Sequence, residues 1–96
     1  MELFIFARFH ACPGNESAVE EAIGEVIGPS RTEAGCLGIQ GFRSTRDRQL
    51  FYIHSRWTDE AAFDRHASLP HTVRFIETVE PLLDHSLDVT RAEMMG

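Results

Sequence analysis

The 96 residues are enough for one domain and leave no room for a second core. Hydrophobic residues make up 43% of the chain and charged residues 25%, a balance that excludes a disordered or fibrous protein. A net charge of -6 speaks against general affinity for nucleic acid, which depends on Lys and Arg neutralising phosphates.

Met1 leads straight into Leu3-Phe4-Ile5-Phe6 with no basic leader, and no run of about 18 apolar residues occurs. The expectation is a cytoplasmic protein with neither signal peptide nor membrane span. Glu2 to His10 reads as a strand with apolar side chains on both faces: Leu3, Ile5, Ala7 and Phe9 on one, Phe4 and Phe6 on the other. Pro13-Gly14 ends it and Asn15 is a plausible N-cap. Val19, Ala22, Ile23, Val26 and Ile27 then recur at helical spacing between glutamates. Pro29 predicts a kink or break, with a further turn reaching Glu33 before Gly35 stops the helix.

Cys36 to Ser44 and Leu50 to Trp57 read as two strands joined by a polar turn, a β-hairpin. Thr58 or Asp59 caps a short helix carrying Ala61, Ala62 and Phe63. Ser68-Leu69-Pro70 opens a second helix with Val73, Phe75, Ile76 and Val79, ending around Pro81 to Leu83. His85 to Glu93 alternates as the last strand.

The order β-α-β-β-α-β is the split βαβ pattern. It predicts a single α+β domain over residues 1–96, with a four-stranded antiparallel sheet and both helices on one face. Apolar side chains on the other face would then need cover, and self-association across the sheet is the simplest way to provide it. The same topology bears on Cys12 and Cys36, which as a bare pair could be a disulfide, weak metal ligands or separate thiols. One follows the first strand and the other opens a strand running in the same direction, so about 25–30 Å separates them and two independent thiols are expected.

No GxSxG, GxxxxGK, CxxC or HExxH signature is present. The candidate chemistry lies between His54 and Arg74, where three of the five histidines and the single Trp fall. His66 and His71 are five apart across a proline, which does not make an i, i+4 metal pair, and no metal site is expected. Imidazole is suited to taking a proton near neutral pH, so either histidine is a candidate base; either also fits a structural role at a helix end. Trp57 plugs the junction of sheet and helix or donates its indole N–H to a ligand oxygen. Arg8 and Arg56 need partners, either a carboxylate such as Asp88 or an anionic ligand. Tyr52, His54 and Arg56 share a strand face opposite Trp57, so one compact pocket does not easily use all four.

Phe9 to Gly14 (FHACPG), Glu33 to Leu37 (EAGCL), Arg56 to Phe63 (RWTDEAAF), His66 and Pro70-His71 together resemble the antibiotic biosynthesis monooxygenase domain family over nearly the whole chain. The resemblance implies a ferredoxin-like homodimer, a dimeric α+β barrel. It also implies a cofactor-independent oxygenation of a phenol, hydroquinone or anthrone-type substrate by O2, with neither metal nor flavin. Trp57, His66 and His71 fall on positions the family usually fills with the same residue types. The implied roles are His66 or His71 as base, Trp57 and Arg56 as donors, and an apolar pocket including Phe63 and Phe75 for a flat aromatic. Ser55 departs from the family, many of whose members have Glu two residues before the Trp. The haem-degrading relatives use an Asn-Trp-His arrangement with Asn on the first strand; the only Asn here, Asn15, sits at a turn, which disfavours haem degradation. The same fold also accommodates a non-catalytic carrier or sensor of small molecules and a cofactor-free isomerase or lyase.

Overall fold

The computed structural model describes residues 1–96. Its elements are β1 (Leu3–His10), α1 (Glu16–Arg31), β2 (Cys36–Arg43), β3 (Leu50–Trp57), α2 (Glu60–Ser68), α3 (Pro70–Val79), a 3-10 turn (Glu80–Leu82) and β4 (Asp88–Ala92). The strands lie side by side as β2-β3-β1-β4, each neighbouring pair antiparallel, which is the expected ferredoxin-like sheet. No helix is long and apolar enough to cross a membrane.

Strand alternation decides which side chains meet the helices. On β1, Leu3, Ile5, Ala7 and Phe9 are buried, and on β3, Phe51, Ile53, Ser55 and Trp57 are buried with them. Phe9 stands opposite Phe51 in register and meets the edge of Phe75 from α3 at a centroid distance of 5.7 Å. Burying aromatics of this size contributes about 1.5–3 kcal/mol each. The helix α1 lies flush on β2 at Gly41, where an added Cβ would come within 2.8 Å of Ile23. The opposite sheet face is uncovered within the chain: Phe6 is 49% exposed and Phe42 53%.

Three expectations about the elements change. The predicted break at Pro29 does not occur, and α1 runs on to Arg31. Proline there removes only one N–H bond, and the end of the helix is held beyond it by the Thr32 and Glu33 N–H groups, which donate to the Pro29 and Ser30 carbonyls at 3.2 Å. The last strand starts at Asp88 rather than His85, because Asp84 and His85 are drawn into contacts with each other and with His10. Arg8, expected on a largely covered strand, is exposed on the open face, with Asp88 opposite it in register. Cys36 aligns with Trp57 and hence with Leu3 at the start of β1, whereas Cys12 lies beyond the end of β1. The two thiols are free and separate.

The end of β1 carries an ionic cluster that ties three segments together. His10 bonds Asp84 through Nδ1 and Asp47, in the β2–β3 turn, through Nε2, both at 2.9 Å. The bonds to Asp47 and then Asp84 raise the imidazole pKa above its usual 6.5. Asp47 is lowered by the Gln49 backbone N–H and by His10; Asp84 is pushed up by desolvation, but its bonds to His85 and His10 outweigh this and lower it overall. The histidine contribution is therefore complete below its ordinary pKa and lost as pH rises through the raised one. The aspartate contributions are complete above 3.8 and lost as pH falls through the lowered values. His10→Gln should accordingly lower Tm more at about pH 5.5 than at about pH 8.5. Equal losses at both values in thermal melts would show that the cluster does not titrate in this way.

Candidate functional site

Between the sheet and the helices lies a cavity of about 230 Å³ with an almost wholly apolar wall. Ile5 and Phe9 of β1, Ile53 of β3, Phe63 of α2 and Phe75 of α3 contribute to it, and its only polar lining side chains are Ser55, His66 and Thr72. This is the form expected of a small-molecule pocket, an apolar body with a few placed polar groups.

His66, in the last turn of α2, lines that wall and is anchored through one ring nitrogen. Its Nδ1 is 2.9 Å from Glu33 Oε2, and Thr72 Oγ1 lies 3.3 Å from the same nitrogen. The same carboxylate oxygen is 2.6 Å from His71 Nε2. A carboxylate only accepts, so the network assigns N–H to both facing nitrogens. With Nδ1 as donor, Nε2 of His66 is left as an acceptor; it has no partner in the chain, and the residue lines the cavity. A carboxylate holding the imidazole in one tautomer and orientation is the arrangement a general base needs. The three ligand atoms lie within 4.8 Å of one another, close enough to share a divalent cation, as do those of His10, Asp84 and His85. The hydrogen-bonded arrangement occupies the same lone pairs that a cation at Glu33 would use.

Trp57 is fully buried, packed at a tilt against His66 with ring centroids 4.6 Å apart and edge-on to Phe63 at 5.8 Å. Its indole N–H does not open on the cavity; it donates to Ser55 Oγ at 2.9 Å. Phe63 is held over the pocket by Arg91 of β4, whose guanidinium lies 4.9 Å from the ring centre and donates to Glu60 and Asp64.

Of the residues expected to form the site, the structure brings His66, Phe63 and Phe75 to one cavity, with Trp57 behind its wall. His71 stands behind Glu33 and borders a separate shallow depression with Pro29 and Arg74. Arg56 has to be removed from the site. The alternation of β3 puts it on the open sheet face, opposite Trp57, where it pairs with Glu2 at 2.7 Å and covers the ring of Phe4. Glu33 and Ser55 are the polar groups that sequence reasoning missed as site residues. Glu33 is 33 positions from His66, and no local pattern links them; Ser55 was visible only as a departure from the family's Glu.

Glu33 owes its position to the turn between α1 and β2. The Gly35 carbonyl accepts from the Thr58 N–H at 2.9 Å, binding the turn to the start of α2. Gly35 has φ +89, and a Cβ there would lie 2.6 Å from that of Ala62.

A model of the family "Antibiotic biosynthesis monooxygenase" matches residues 3–78. The chain therefore belongs to that family, and its class is that of small monooxygenase domains. A proposed monooxygenase of Mycobacterium tuberculosis, Rv0793, is 29% identical over 86 residues, covering 90% of this chain and 84% of the relative. The solved structure of Rv0793 superposes with a TM-score of 0.94 at 25% identity, covering 100% of this chain and 97% of that one. PA3566 from Pseudomonas aeruginosa is similar at 33% identity with a TM-score of 0.91, over 99% of this chain and 95% of that one.

Gly35→Ala should destabilise the fold by about 2–4 kcal/mol, because it adds a left-handed backbone penalty to a steric overlap. Chemical denaturation checks this; a loss below about 1 kcal/mol would mean that the turn relaxes without strain.

Proposed function

We propose that this protein is a cofactor-independent monooxygenase in which His66 deprotonates a hydroxylated aromatic substrate and the resulting anion reacts with O2. The observation that carries the reading is the Glu33–His66 pair, which leaves Nε2 as a free acceptor in a residue that lines an apolar cavity. The hydroxyl proton passes to Nε2, and Glu33 stabilises the imidazolium through Nδ1. Charge left on the substrate oxygen spreads into the ring, and a carbon that is CH2 in the keto tautomer gives electrons to O2 and forms a C–O bond. Loss of water from the peroxide leaves a carbonyl. One oxygen atom stays in the product, the other departs as water, and the substrate supplies all the electrons. His71 acts through Glu33 as a positioning residue, and the dry wall excludes water that would solvate the anion.

The functional unit in this reading is a homodimer joined through the open sheet face. Phe6, Phe42 and Tyr52 expose apolar surface there, with Phe42 and Tyr52 paired across strands and Phe6 packed on His54 at 4.9 Å. A second copy presents the same surface and covers it isologously. The free thiols suit a reducing, cytoplasmic compartment.

Metal-free protein should take up O2 with a hydroquinone faster than the autoxidation control. His66→Ala should lower the rate about 100-fold or more, and Glu33→Gln should lower it less. Uptake no faster than the control, or unchanged in His66→Ala, overturns the reading. In sedimentation equilibrium the wild type should be a dimer and Phe6→Glu a monomer; a monomeric wild type rejects the homodimer.

A further inference from the structure

The cavity holds a second polar group with an unused capacity. Ser55 is 2% exposed on β3, and its Oγ accepts the indole N–H of Trp57. Indole is a donor only, so the direction of that bond is fixed and the serine proton must go elsewhere. It finds no acceptor within the chain, while Ser55 lines the cavity. Of the three polar side chains on the wall, Trp57 touches two, bonding Ser55 and packing at a tilt against His66, so both are set against one buried ring. No Lys, Arg, Asp or Glu reaches the wall.

We propose that Ser55 is a catalytic and specificity-determining residue: its hydroxyl donates to the substrate oxygen that His66 deprotonates, and the cavity selects an uncharged hydroxyarene of one or two rings. This rests on the assignment of His66 as the base in the same cavity. The Trp57 N–H polarises the serine hydroxyl, strengthening the bond it donates as the oxygen becomes negative. A carboxylated, sulfated or phosphorylated ring would bring in a charge that no Lys or Arg on the wall compensates, and with His66 neutral as the base its desolvation disfavours binding. The volume sets the size: a cavity of roughly 150 Å³ accepts benzene, and this one, at about 230 Å³, has room for a second fused ring.

Equilibrium dialysis with 1-naphthol, naphthalene and 1-naphthoate tests this without turnover. The wild type should bind 1-naphthol at least about tenfold more tightly than naphthalene, and 1-naphthoate far more weakly than 1-naphthol. Ser55→Ala should reduce the preference for the hydroxyl to within about threefold and leave naphthalene binding unchanged. Because that change strands the indole N–H, the double variant Ser55→Ala/Trp57→Phe, which removes both polar atoms, should show the same loss. An unchanged preference in either variant, or 1-naphthoate bound as tightly as 1-naphthol, overturns the proposal; the second comparison needs no variant to fold. The two readings fail separately. Serine-dependent binding without O2 uptake refutes the monooxygenase reading alone, whereas uptake with serine-independent binding refutes the role of Ser55.

Discussion

A single oxygen of Glu33 receives N–H groups from two histidines on two helices, and the arrangement of the site follows from that contact. Glu33 sits on the turn that leaves α1, His66 on the last turn of α2 and His71 on the first turn of α3. One carboxylate therefore fixes the relative placement of all three segments. Its side chain is only 9% exposed, and a carboxylate so placed is costly unless its lone pairs are met. Both histidines meet them. The consequence for chemistry is at the far nitrogen of His66, which this contact leaves as an acceptor with nothing in the protein to accept from.

The strand pleat divides the protein's business between two faces. Side chains of β1 and β3 at alternate positions build either the cavity under the helices or the apolar open surface, and a residue cannot serve both. Arg56 and Trp57 are adjacent in sequence and on opposite sides of the sheet. Around the cavity, polar groups are few and each is supported from behind: His66 by Glu33, Ser55 by Trp57, and the Phe63 ring by Arg91. Such backing fixes orientation before any ligand arrives.

Much of the architecture was legible from local pattern. The alternation in β1, the spacing of Val19, Ala22, Ile23 and Val26, the Asp59 cap and Pro70 at a helix start each state a local preference that the fold satisfies. Pro29 misled because a proline is judged by its lost N–H, whereas this close to the helix end backbone bonds from Thr32 and Glu33 still close the last turn. His85 misled because alternation continues into a segment where ionic contacts with Asp84 and His10 displace strand pairing.

The sequence alone determined the order of elements, the antiparallel sheet and the cluster of histidines around one Trp, because these depend on residue periodicity and on neighbours within a few positions. Tertiary structure alone decided which of those residues meet. Glu33 and His66 are brought together by a turn whose glycine must pack on Ala62, and the Ser55 hydroxyl meets the Trp57 N–H through the pairing of side chains on one face of β3. Hydrogen bonds of this kind join residues through space, and their geometry is set by how helices and strands pack, which no single stretch of the chain encodes.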